Sequence, residues 1–371
     1  MSASNQSLEP CTDRSASHQL HLVGYSLIFT AGLLLNVAAI WIFLYYLRIK
    51  SVVSIYMLNL AVSDLLFTVS LPFRIYYYAV GEWPFGSFLC QVSGSVFQIN
   101  MYGSCLFLMC INLDRFVAIV YPLRWRHLRR PKVARLLCLV VWVLILMGSV
   151  PVAGVHRTTS CQKQNRNVTL CFESFSNDLW QKGLFPLVIL AEILGFLLPL
   201  TSVTYCSIRI FRKLCKPGRE QSLRQQKTIR MLVVNLVIFI ICFVPYNIIL
   251  AAYGMIKARV FPTEQQTKDS VRQALVVTVL LASMNCTLDP LIYYFNTEGF
   301  RNTLKKLRRG QAWDSETGTL QTRVMQSKPH QADTKSELKR FPVRHLILPR
   351  KDLPFAPPKI FLNSPIEDSE I

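Results

Sequence analysis

Seven stretches of the chain are almost wholly apolar. Residues 22–47, 90–113, 136–155 and 231–256 contain no Asp, Glu, Lys or Arg. Residues 51–75 hold only Asp64 and Arg74, residues 183–208 only Glu192, and residues 273–296 only Asp289. A hydrocarbon core about 30 Å thick takes roughly 20 residues of apolar helix to cross. The pattern therefore predicts an all-α membrane protein. Its seven transmembrane helices would run over about 22–47, 52–78, 90–120, 134–155, 183–213, 228–256 and 271–295. Pro72, Pro151, Pro199, Pro245 and Pro290 fall inside these spans, where neighbouring helices take up the carbonyls that a proline frees. Beyond the last span, Phe300, Leu304 and Leu307 share one helical face with bases opposite. That spacing predicts an amphipathic eighth helix over 296–309, lying in the membrane interface. Residues 310–371 are polar and rich in Pro, Lys and Ser; they read as a disordered tail.

Charge orients the bundle. Lys and Arg cluster after spans one, three, five and seven, as in Arg48 and Lys50, Arg124 to Lys132, Arg212 to Lys227 and Arg301 to Arg309. Positive loops stay in the cytosol, so the N-terminus, residues 1–20, is expected outside and the tail inside. Span one then serves as its own uncleaved signal, and the expected location is the plasma membrane. The outer face carries two N-glycosylation acceptors, Asn5-Gln6-Ser7 and Asn167-Val168-Thr169. A formal charge of +20 follows from this topology plus a basic tail against anionic lipid, and implies no nucleic-acid partner. Only 17% of residues are charged, against about a quarter in soluble domains. There is no HExxH, Gly-x-Ser-x-Gly, P-loop or CxxC motif, so no enzyme is expected. No cysteine follows Cys286, which excludes a palmitoyl anchor on the eighth helix.

Ionisable groups at membrane depth are costly and mark function. Asn36, Asp64, Asn100, Ser104, Asn285 and Asp289 lie at similar depths. They would enclose either water or a hydrated sodium ion, a hard cation suited to oxygen ligands; no other cofactor and no other metal is expected. Asp114-Arg115 ends the third apolar run at its cytosolic mouth. It is either a membrane-edge anchor or a two-state element, an arginine held in one state and released in another. Arg74, His156, Arg157, Lys257, Arg259 and Arg272 bring bases to the outer ends of four spans. Singly they serve as headgroup anchors. Together they describe a site for an anionic head above an apolar space for an acyl chain. Glu192, the lone acid of the outer half, is a candidate to hold one of these bases before ligand arrives. Of eleven cysteines, Cys105, Cys110, Cys138, Cys206, Cys242 and Cys286 fall inside spans and Cys215 is cytosolic. Cys11, Cys90, Cys161 and Cys171 share the oxidising face and allow three pairings.

Gly32-Leu33-Leu34-Leu35-Asn36, Asn59-Leu60-Ala61-Val62-Ser63-Asp64, Cys90, Asp114-Arg115-Phe116, Trp142, Phe196-Leu197-Leu198-Pro199, Cys242-Phe243-Val244-Pro245 and Asp289-Pro290-Leu291-Ile292-Tyr293 together resemble the rhodopsin-like (class A) G-protein-coupled receptors over about residues 20–309. Phe116, Phe243 and Asp289 replace the commoner Tyr, Trp and Asn, as in the branch with nucleotide, protease-activated and non-Edg lysophosphatidic acid receptors. Residues 128–139, 170–176, 242–247 and 299–304 are similar to lysophosphatidic acid receptors, the fifth subtype above all.

This resemblance implies a Cys90–Cys171 bridge, leaving Cys11 for Cys161. It implies that Arg74, His156, Lys257 and Arg272 hold a phosphate head. It implies partners: lysophosphatidic acid or a similar anionic lysolipid, heterotrimeric G proteins of the q and twelve/thirteen groups, and arrestin on the phosphorylated tail. Asp114, Arg115, Leu123, Phe243, Asp289 and Tyr293 would carry activation, with Leu123 inserted into the G protein. Receptors for a nucleotide or another anionic lysophospholipid are the alternative. The last residues, Asp368-Ser369-Glu370-Ile371, add a reading of their own: Ser369 and the Ile371 carboxylate fit strand addition into a PDZ groove.

Overall fold

The computed structural model describes residues 15–49, 51–155, 158–163, 166–172, 185–215, 222–260 and 262–308. Seven helices are long and apolar enough to cross a membrane. They are α1 (Ser17–Tyr46), α2 (Val52–Val80), α3 (Gly86–Val120), α4 (Pro131–Val155), α5 (Phe185–Leu214), α6 (Gln225–Lys257) and α7 (Gln265–Phe295). A further helix, α8 (Glu298–Arg308), follows.

Several helices outrun the apolar stretches that mark them. α1 begins before residue 22, α3 begins at Gly86 rather than Cys90, and α7 begins at Gln265 rather than near 271. A bilayer excludes charge, but a helix does not, so helical turns continue into the aqueous layer.

The bundle is organised around α3, which packs against α2, α4 and α5, while α1 lies on α2 and α7, and α6 on α7. α2 and α3 are the most buried spans; α4 and α5 are the least. Outward-facing Leu139, Leu144 and Met147 of α4 are exposed in the bundle, as a lipid solvent requires.

Prolines shape three spans. A proline donates no hydrogen bond and crowds the carbonyl four residues back. Wide π-turns cover Glu192–Leu197, just ahead of Pro199, and Phe239–Phe243, just ahead of Pro245. In α7, Pro290 leaves the Cys286 carbonyl without its usual donor; Asn36 of α1 supplies one, its Nδ2 donating to that oxygen at 2.7 Å.

The loop after α4 forms a two-stranded antiparallel sheet. β1 (Thr159–Lys163) pairs with β2 (Arg166–Leu170), with Cys161 opposite Val168. Spacing along a short, polar loop gave no sign of it, because long-range attachment holds it. The Cys90–Cys171 disulfide fastens its end to the top of α3, and the Trp83 N–H donates to the Thr169 carbonyl at 2.9 Å. Tyr77, Trp83, Cys90 and Cys171 form a small buried cluster beneath it. Cys161 is also disulfide-bonded, while Cys11 lies outside the described residues.

Candidate functional site

The outer site centres on Arg74. Its position, six residues before the end of α2, sets it about 9 Å inside the helix terminus. Only 5% of the residue is exposed. One guanidinium nitrogen, Nη2, donates to the Ser93 carbonyl of α3 at 2.8 Å. The guanidinium lies 4.3 Å from the Phe172 ring centroid, and 5.9 Å from those of Tyr25 and Phe97. These are cation–π distances. Its Nε is buried with no hydrogen-bond partner, and among the described residues no acid lies within ion-pair distance of it. Arg74 is thus a permanent charge in an aromatic cage, with donor capacity left over. Phe172 reaches it because the disulfide fixes the adjacent Cys171; its own backbone is left-handed, with φ 71°. Phe172, Ser93, Tyr25 and Phe97 were not singled out from sequence, although a residue next to an outer cysteine is a readable signal.

The other described rim bases come from the end of α6, the turn beyond it and α7. Lys257 ends α6, near the Tyr253 ring at 5.8 Å, and lies within electrostatic reach of Arg272 and Lys268 of α7. Arg272 and Lys268 are exposed. Arg259 is exposed and left-handed at φ 56° just beyond α6. His156 and Arg157 lie outside the described residues. Glu192 sits in the wide turn of α5, with its Oε1 buried and unpartnered. Among the described residues it forms no ion pair.

The mid-membrane cluster brings together the residues expected there. Asn100 Nδ2 donates to Asp64 Oδ1 at 2.8 Å and the Tyr293 hydroxyl to Asp64 Oδ2 at 3.3 Å. Asn285 Nδ2 donates to the Ser104 hydroxyl at 2.9 Å. Both carboxylate oxygens of Asp289, with Asn36 Oδ1 and Asn285 Oδ1, are buried without a partner. This excess of unpaired oxygen suits a hard cation, so the residues fit a sodium ion.

Near the C-terminal end of α3, Asp114 Oδ1 accepts not from the adjacent Arg115 but from Arg129 Nε, in the loop between α3 and α4, at 3.0 Å. Two neighbours on one helix point in different directions, about 100° apart, which makes a base from another segment the better-placed partner. Lys213 of α5 donates to the Val120 carbonyl at 3.0 Å and caps α3. Leu123 is 88% exposed. Phe243 is fully buried and stacks edge-on against Phe239 at 5.1 Å. Asn167 is exposed on β2, while Asn5, Ser369 and Ile371 lie outside the described residues.

These features match known proteins. The family model of the seven-transmembrane receptors (rhodopsin family) matches residues 35–293. Lysophosphatidic acid receptor 5 of Mus musculus is 58% identical over 305 residues, covering 82% of this chain and 82% of its own length. Lysophosphatidic acid receptor 6 of Gallus gallus is 42% identical over 289 residues, covering 77% of this chain and 93% of its own. G-protein coupled receptor 183 of Mus musculus is 33% identical over 305 residues, covering 80% and 84%. This is a family of receptors, not enzymes. Seven membrane-crossing helices, a disulfide pinning the outer loop to α3 and the family match over most of the bundle give one conclusion: the chain belongs to the rhodopsin family of seven-transmembrane, G-protein-coupled receptors.

Proposed function

We propose that this chain is a plasma-membrane receptor for lysophosphatidic acid, with its N-terminus outside, that activates heterotrimeric G proteins of the q and twelve/thirteen groups. The observation that carries the reading is Arg74: a buried guanidinium with, among the described residues, no acid at ion-pair distance, and with an Nε that has no hydrogen-bond partner. A phosphate monoester supplies the missing anion and accepts several charge-assisted hydrogen bonds. Lys257 and Arg272, with His156 beyond the described residues, would steer the same head inward from the rim. Relatives at 58% and 42% identity are named for lysophosphatidic acid, and this supports the ligand class. The acyl chain would lie against apolar residues of the bundle.

Signal passes inward through parts that support a two-state reading. Phe243 sits in a proline-linked wide turn, and such turns recur at functional sites. Below it, Asp64 and Asp289 would hold sodium in the resting state. At the inner mouth Asp114, Arg115 and exposed Leu123 would meet the G protein. After activation the tail would recruit arrestin, and its last residues a PDZ domain. Asn5 and Asn167 would carry glycans.

The test is a chain-length series. Each methylene added to a buried chain contributes about 0.8 kcal/mol, roughly fourfold in affinity. Lysophosphatidates of increasing chain length should gain potency in a G-protein activation assay until the space is filled. A flat response to chain length, with high potency for nucleotides, would turn the reading to the nucleotide receptors of the same branch.

A further inference from the structure

Three polar groups around the Arg74 guanidinium are buried without hydrogen-bond partners: its own Nε, the Tyr25 hydroxyl of α1 and the Ser93 hydroxyl of α3. None of the three residues is more than 5% exposed. They come from three helices and meet at one charge. The Tyr25 ring centroid lies 5.9 Å from the guanidinium carbon, and the Ser93 carbonyl lies 2.8 Å from Nη2. Tyr25 is fixed there, its ring stacked on His21 at 5.4 Å and on Tyr78 at 5.8 Å. Folded proteins leave few buried polar groups unpaired, and each one costs stability. Three around one guanidinium call for an occupant.

Their chemistry selects what they receive. An arginine Nε only donates, and each hydroxyl carries a donor hydrogen. The Ser93 carbonyl already accepts from Nη2, and among the described residues no acid lies at ion-pair distance from Arg74. Acceptor oxygen is what the group lacks. A guanidinium fork faces two oxygens. A carboxylate or a phosphodiester has no other charged oxygen to offer, whereas a phosphate monoester has a third. We propose that the Tyr25 and Ser93 hydroxyls donate to this third oxygen and so select a phosphate monoester over other anionic heads on the same chain. The inference rests on the reading of Arg74 as the phosphate seat.

The test compares the full chain with Tyr25→Phe and Ser93→Ala. Phenylalanine keeps the ring beside Arg74, and alanine keeps the carbonyl that Arg74 uses. Each variant deletes only a hydroxyl. In the ligand-free receptor, purified in detergent, the melting temperature should hold or rise, because an unpaired buried group is gone. In competition binding, affinity for oleoyl lysophosphatidate should fall about tenfold or more in each variant, the scale of one hydrogen bond to a charged group. Affinity for the methyl ester of the same phosphate should change by less than about threefold, since the ester lacks the oxygen that the hydroxyls would meet. Native affinity for the monoester in either variant would overturn the proposal. So would equal losses for both ligands, or a lowered melting temperature, which would make the hydroxyls structural. Arg74→Ala separates this inference from the reading beneath it. If Arg74→Ala loses the preference for phosphate while the hydroxyl variants bind as the native receptor does, the phosphate seat stands and the hydroxyls are no part of it. If Arg74→Ala keeps the preference too, the seat itself falls.

Discussion

Replacing Arg74 by alanine separates recognition from folding. In the ligand-free protein the substitution removes one hydrogen bond to the Ser93 carbonyl, worth about 1 kcal/mol. It also removes a desolvated cation–π contact with Phe172, worth about 1–2 kcal/mol. Against this, it deletes a buried, unpartnered Nε, whose burial costs about 1–3 kcal/mol. The effects nearly cancel, so surface expression should stay near normal. With ligand bound the balance differs. Truncating one partner of a buried charge pair costs about 2–5 kcal/mol, and 3 kcal/mol is roughly 150-fold in affinity. The assay is G-protein activation at matched surface levels, with lysophosphatidate and the monoacylglycerol that lacks its phosphate. The native receptor should prefer the phosphate form strongly, and Arg74→Ala should lose about 100-fold of that preference. Arg74→Lys keeps the charge but not the fork and should lose about tenfold. If Arg74→Ala retains the full preference for the phosphate form, Arg74 does not hold the head group and the reasoning fails.

Three more predictions follow from described contacts. Asn36→Ala should leave the Cys286 carbonyl, stranded by Pro290, without its donor and cost about 1–3 kcal/mol, measured by thermal unfolding in detergent; adding Pro290→Ala, which restores a backbone N–H, should recover part of the loss. Asp64→Asn should abolish any effect of sodium on agonist affinity, measured by radioligand binding across sodium concentrations, and an unchanged sodium response would exclude the mid-membrane cluster as its site. Cys171→Ser should free Phe172 from its place over Arg74, lowering lysophosphatidate potency in receptor that still reaches the surface; normal potency would show that the loop attachment is dispensable.

Much of this was legible in the residues, for a physical reason. Spanning length and the exclusion of charge are strong one-dimensional signals, so the seven helices appear in the pattern of residues 22–296. Asp64, Asn100, Asn285 and Asp289 stand out because hydrocarbon tolerates so few polar groups. What escaped depends on contacts between distant segments. Nothing local announces that Phe172 covers Arg74, that Asn36 serves the Cys286 carbonyl, or that Asp114 prefers Arg129 to its own neighbour. Sequence gives depth along a helix but not direction around it; the structure buries Arg74 and leaves Lys268 and Arg272 exposed.

The placement of Phe172 bears on speed as well as affinity. A ligand arriving from outside meets an aromatic cap before it meets the charge. The cap is held with φ 71°, in a region that costs a bulky residue about 1–3 kcal/mol. Lifting it breaks the ring–guanidinium contact but lets the backbone relax, so the barrier is lower than the contact alone implies. Association should therefore run below the encounter limit and be set by the motion of one loop residue, while dissociation waits for the phosphate to leave Arg74.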